Sequence, residues 1–133
     1  MAVAGKTPLG RVLVVDDDPA ALQLMAAMLD QLGYKSRCET DARVALAGLG
    51  RAPPTAIVLD LVMPGMSGFE FLDQVRKVPG GRDVPVIVWT GKELSAEEHG
   101  QLCASATAVV AKGNGGSAGL IAELASHLPP KAS

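Results

Sequence analysis

Ile57-Val58-Leu59-Asp60-Leu61-Val62-Met63-Pro64-Gly65 is an apolar run that delivers a single carboxylate into a turn. A run apolar throughout, rather than alternating, has the pattern of a parallel strand covered on both faces. An acid at its end stands on the rim of the sheet, where ligands bind in open α/β folds. On this stretch alone, Asp60 serves equally well as a reactive group or as a cap for the following loop. The other strand ends decide between them.

Similar short runs alternate with segments of helical period, the signature of a doubly wound fold. The first strand is Arg11-Val12-Leu13-Val14-Val15, ending in Asp16-Asp17-Asp18. Asp18 suits an N-cap and Pro19 the first helical position, where its missing donor costs nothing. Asp16 and Asp17 are thereby left for another role. Ala21, Leu24, Met25, Met28 and Leu32 form the apolar stripe of the first helix, which stops at Gly33. Tyr34 to Glu39 make a second strand, and Asp41 caps a helix whose Ala42, Ala45, Leu46 and Leu49 face the core. The third strand, Thr55 to Asp60, is followed by a helix capped by Ser67, with Phe69, Leu72 and Val75 at helical spacing up to Pro79-Gly80-Gly81. Val84 to Thr90 is the fourth strand. Ser95 and Glu98 form a capping box for a fourth helix that Gly100 weakens and whose apolar face is thin. Thr107 to Ala111 is the fifth strand, ending at Lys112-Gly113, and Ile121, Leu124, Ala125 and Leu128 line the last helix.

The expected architecture is therefore a flavodoxin-like (βα)5 fold: a doubly wound, five-stranded parallel sheet. Right-handed crossovers in the strand order 2-1-3-4-5 put the first and third strands side by side. The 133 residues suffice for one domain, placed at 11–128 between a flexible lead (1–10) and a flexible tail (129–133). Hydrophobic residues make up 48% of the chain but aromatics only 3%, so the core is aliphatic. A net charge of −2 provides no basic field for nucleic acid. No signal segment opens the chain and no run approaches about 18 apolar residues, so a cytoplasmic protein without membrane contact is expected. Cys38 and Cys103 lack the CxxC spacing of a metal or redox site and read as buried free thiols. His99 and His127 read as helix-surface residues.

In such a sheet the strand ends share one edge, bringing together Asp16, Asp17, Asp60, Thr90 and Lys112. Three carboxylates at one point repel one another. Mg²⁺ favours oxygen ligands and keeps waters that a phosphoryl oxygen can replace. Asp60 can then attack phosphorus to form an aspartyl phosphate, with Lys112 as a point charge and the Thr90 hydroxyl facing a phosphoryl oxygen.

Val14-Val15-Asp16-Asp17-Asp18-Pro19, Asp60 with Met63-Pro64-Gly65 and Ser67-Gly68, Thr90-Gly91 and Lys112 resemble the receiver domains of two-component response regulators over about Arg11 to Leu128. The resemblance implies phosphoryl transfer to Asp60 from a histidine kinase or histidine phosphotransfer protein, including a kinase domain in the same full-length chain. It also implies Mg²⁺ held by Asp17 directly, by Asp16 mainly through water, by Asp60 and by the backbone carbonyl of Val62. A phosphoacceptor signalling domain is expected, catalysing its own phosphorylation and slow dephosphorylation rather than turning over a separate substrate. Its output would be altered binding at the surface formed by the fourth helix, fifth strand and fifth helix.

Three positions depart from the family pattern. Gly113 follows Lys112 where most receivers have proline. Val109 stands where many carry a Tyr or Phe that reports on the threonine. Val62 and Lys92 border the approach of hydrolytic water, and an apolar Val62 implies a long-lived phosphoryl group. The run Trp89 to Glu98 is similar to receivers attached to hybrid sensor histidine kinases. The contrasting readings are a phosphorylation-independent interaction domain and an aspartyl phosphatase, which would carry a second acid where Val62 stands.

Overall fold

The computed structural model describes residues 10–49, 54–61, 65–78, 81–91, 93–111 and 118–127. Of the predicted lead 1–10 only Gly10 is described, and the predicted tail 129–133, Leu128, Val62-Met63-Pro64, the Pro79-Gly80 break, Lys92 and Lys112-Gly113 lie outside the described residues. Five strands and five helices alternate: β1 (Arg11–Val15), α1 (Pro19–Leu32), β2 (Lys35–Glu39), α2 (Ala42–Gly48), β3 (Ala56–Leu59), α3 (Gly68–Lys77), β4 (Val86–Thr90), α4 (Ala96–Ser105), β5 (Ala108–Ala111) and α5 (Ala118–His127). The strands form one parallel sheet in the order β2-β1-β3-β4-β5, which is the flavodoxin-like arrangement expected.

Strand alternation sorts the core into two layers. Val12 and Val14 of β1, Ala56 and Val58 of β3, and Ile87 and Trp89 of β4 pack with Met25 and Leu29 of α1 and Leu120 and Leu124 of α5. Their neighbours Leu13, Val15, Ile57, Leu59, Val86 and Val88 pack on the opposite face with Ala45, Phe71, Leu72, Val75 and Leu102, from α2, α3 and α4. The central strands are buried on both faces, which is why their sequences are apolar throughout.

Helix starts follow the predicted chemistry. Asp18 caps α1 by accepting from Ala20 N at 3.0 Å, with Pro19 in the first turn, and Gly33 closes the helix in the left-handed region at φ 94°. Asp41 caps α2. Ser67–Glu70 and Ser95–Glu98 are reciprocal capping boxes on α3 and α4.

Side-chain placement corrects the readings of Leu24 and of the two cysteines, and adds Phe71 to the core side of α3. Leu24 is 49% exposed; it lies roughly 100° around the helix from the centre of the stripe, and Leu22 and Leu29 occupy the core side instead. On α3 the fully buried aromatic is Phe71, while Phe69 is partly buried at the margin. Both cysteines are free, as read, but exposed rather than buried: Cys38 is on the edge strand β2 and Cys103 on α4. His99 is exposed on α4, as expected.

Arg76, near the end of α3, ties three segments together. Its Nη1 donates to the carbonyls of Gly81 (3.0 Å) and Val84 (2.6 Å), and its Nε and Nη2 donate to the Ser105 carbonyl at the end of α4 (3.0 and 2.7 Å). Burial pushes the guanidinium's pKa down and the nearby Asp83 charge opposes that shift. Because a planar fork is needed to reach both sides, Arg76→Ala should destabilise the fold by about 2 kcal/mol, and Arg76→Lys should recover less than half of that in chemical denaturation.

Candidate functional site

Parallel pairing assembles the site. Val15 of β1 is level with Leu59 of β3, so the next residues, Asp16 and Asp60, leave the sheet side by side. Backbone bonds fix both exits: Asp60 N donates to Val15 O at 3.0 Å, and Asp16 N donates to Glu39 O at 3.2 Å. Asp16, Asp17 and Asp60 each offer a carboxylate oxygen within 4.8 Å of the others. Asp16 and Asp60 are buried, 2% and 8% exposed, whereas Asp17 faces solvent.

The neighbouring segments hold this arrangement. The Asp16 Oδ1 accepts from Asp18 N at 3.0 Å, so the turn that caps α1 also orients the acid at the end of β1. On the other side Gly68 N donates to Leu61 O at 3.0 Å. A Cβ on Gly68 would lie 2.5 Å from Leu61 Cα and 2.7 Å from Asp60 O. Only glycine lets α3 start this close to the chain that carries Asp60. That steric role was not read from the sequence; a glycine immediately after an N-cap serine was the available signal.

Thr90 ends β4 and is 2% exposed. The pairing of Leu59 with Val88 brings β4 alongside β3, so Thr90 emerges on the edge that carries Asp60. Thr90 is level with Ala111 of β5, and Lys112 follows Ala111 directly; Lys112 and the Val62 carbonyl lie outside the described residues. Val109 is partly buried against the layer of α2, α3 and α4.

Buried and exposed carboxylates converging from two strand ends offer hard oxygen donors to a small divalent cation, and the exposed side at Asp17 leaves room for water or phosphoryl oxygens. This donor set fits Mg²⁺.

The response regulator receiver domain model matches residues 12–122. The chain belongs to that family. The receiver is 32% identical to the chemotaxis response regulator CheY4 of Vibrio cholerae, with a TM-score of 0.81 over 92% of this chain and 100% of that one. The receiver domain of the sensor histidine kinase PA1611 of Pseudomonas aeruginosa, described with a magnesium ion coordinated in its active-site cleft, is 28% identical, with a TM-score of 0.78 over 89% of this chain and 96% of that one. Response regulator MprA of Mycolicibacterium vanbaalenii is 36% identical over 72% of this receiver and 41% of its own length. The receiver spans 20%, 60% and 41% of the lengths of three curated relatives that it matches. No helix among its described residues is long and apolar enough to cross a membrane.

Carboxylate crowding gives this site a stability signature. In metal-free buffer Asp60→Asn should raise the melting temperature by about 3–5 °C, the effect of ~1 kcal/mol in a domain of this size. Mg²⁺ should raise that of the wild type and leave the Asp60→Asn protein nearly unchanged, as read by calorimetry.

Proposed function

We propose that this receiver accepts a phosphoryl group onto Asp60 from a phosphohistidine donor, with Mg²⁺ held by Asp16, Asp17 and Asp60. The observation that carries this reading is the approach of the three carboxylates within 4.8 Å at one edge of the sheet. When bound, Mg²⁺ neutralises the carboxylates and the charge on the transferring phosphoryl oxygens. One Asp60 oxygen attacks phosphorus as the phosphorus–nitrogen bond of the donor breaks. The imidazole nitrogen departs with the bonding electrons, and an acyl phosphate remains on Asp60.

The chain's own residues position this transfer. The Asp60 N–H bond to Val15 O anchors the nucleophile's backbone, and the Asx turn at Asp16 presents an acid beside it. In this reading Thr90 donates its hydroxyl to a phosphoryl oxygen, Lys112 contributes positive charge and the Val62 carbonyl completes the metal ligands. The reaction is the receiver's own modification and its slow reversal rather than turnover of a separate substrate.

Phosphorylation would then bias two states of the α4-β5-α5 surface through contacts made in only one of them. With Val109 on β5, no aromatic side chain at that position reports on Thr90, so the response runs through Thr90, the chain after it and α4. The partner is a cytoplasmic histidine kinase or histidine phosphotransfer protein. Similarity to the receiver domain of a sensor histidine kinase supports a relay role, including attachment to a kinase in a longer chain.

Incubation with Mg²⁺ and acetyl phosphate should add the mass of one phosphoryl group to the intact protein, and Asp60→Asn should abolish it. Trp89, the sole tryptophan and adjacent to Thr90, should change fluorescence on the same time course. An unmodified wild type, or equal labelling of Asp60→Asn, would favour an interaction domain that works without phosphorylation.

A further inference from the structure

A shallow cleft opens where β1, β2 and the end of α2 meet, toward the start of the strands. Its floor is apolar, formed by the buried Leu13, Ala45 and Leu49, and Arg11 and Arg37 line it as well. Parallel pairing explains why the two cations share it. Leu13 is level with Arg37 and Arg11 with Lys35, so Arg11, Lys35 and Arg37 all leave the sheet on the face that α2 covers. Glu39 is the acid that β2 adds to that face. The chain as a whole carries a net charge of −2, so this local excess of positive charge is built by strand register rather than by composition.

Arg37 is held ready for a partner. Its Nε donates to Glu39 Oε2 at 3.1 Å, which steadies the guanidinium. Among the described residues, its Nη1 and Nη2 and the Arg11 side chain make no hydrogen bond. Gly48 makes room for this group. A Cβ there would lie 2.9 Å from Arg37 Nη1 and 3.2 Å from Nη2. Glycine weakens a helix, and Gly48 does not use the left-handed conformation that glycine allows, which among the described residues is confined to Gly33 and Gly65. What it provides is space for a guanidinium against α2.

We infer that this cleft binds a small organic anion, a carboxylate or phosphate group carried on a short apolar body. Planar guanidinium forks suit an oxyanion, which accepts their N–H groups and offsets the like charges of Arg11 and Arg37. The apolar floor receives the body. The cleft is too shallow to enclose such a molecule, which would lie across it with the charged group at the arginines. Arg11 starts β1 and Asp16 follows its end, about 16 Å apart along the strand, so the site is separate from the acidic pocket and does not depend on phosphoryl transfer.

The test titrates the full chain, in low salt without Mg²⁺, with benzoate and with phenyl phosphate while backbone amide shifts are followed by NMR. The amides of Leu13, Ala45, Gly48 and Leu49 should shift saturably with at least one of them, and the one that binds more tightly identifies the anionic group. Benzyl alcohol, a similar apolar body without charge, should bind roughly tenfold more weakly, and Arg11→Gln and Arg37→Gln should each weaken anion binding roughly fivefold. Gly48→Ala should weaken it similarly with the melting temperature unchanged or higher, because only the mobile end of Arg37 must give way; that separates loss of the site from loss of the fold. Asp60→Asn should bind as the wild type does. Absence of saturable shifts with both anions, equal binding of benzyl alcohol, or affinity unchanged by Arg37→Gln and Gly48→Ala would overturn the inference.

Discussion

The parallel pairing of β1 with β3 is the constraint on which the rest of the receiver depends. Val12 and Val14 enter one core layer and Leu13 and Val15 the other, and β3 divides in the same way. Each strand must therefore be covered on both faces, by α1 and α5 on one side and by α2, α3 and α4 on the other. Slipping the register by one residue would exchange these faces and place every side chain against the wrong helices. The same register sets Val15 beside Leu59, and so sets Asp16 beside Asp60. Hydrophobic packing and the acidic pocket are two results of one alignment.

That coupling explains how crowded carboxylates persist. Asp16 and Asp60 are both buried, and like charges brought this close repel one another. The sheet does not yield, because moving either acid means breaking the exit bonds to Glu39 and Val15 and disturbing aliphatic side chains already packed on two faces. Gly68 presses α3 against the chain beside Asp60 from the other direction. A packed core thus holds the three acidic side chains together at one edge of the sheet, and a similar receiver is described with magnesium in its cleft.

Helix α4 is held differently from the other long helices. It buries Leu102 and is fixed at its start by the Ser95–Glu98 box and at its end by the bonds from Arg76 to Ser105. Between these ends it relies little on apolar contact. In α1, by contrast, five residues are buried along the helix. A helix pinned at its ends and sparsely packed between them can alter its outer surface at modest cost.

Much of this protein was legible in its sequence because its signals are local. Apolar runs, turn glycines and capping residues placed all ten elements, usually within two residues, since each depends on the chain's own backbone bonds and on the periodicity of its own side chains. The convergence of Asp16, Asp17 and Asp60 was legible because they stand at or just beyond the ends of two strands, and a parallel sheet gathers such ends on one edge. Tertiary structure alone decided what depends on contacts between distant segments. It chose Phe71 over Phe69 as the buried aromatic, left Leu24 and both cysteines exposed, set Arg76 across three segments, and made Gly68 the point of closest approach to the Asp60 chain. Periodicity gives the angle at which a side chain leaves its helix, but the neighbour it meets is determined only when strands far apart in sequence have paired.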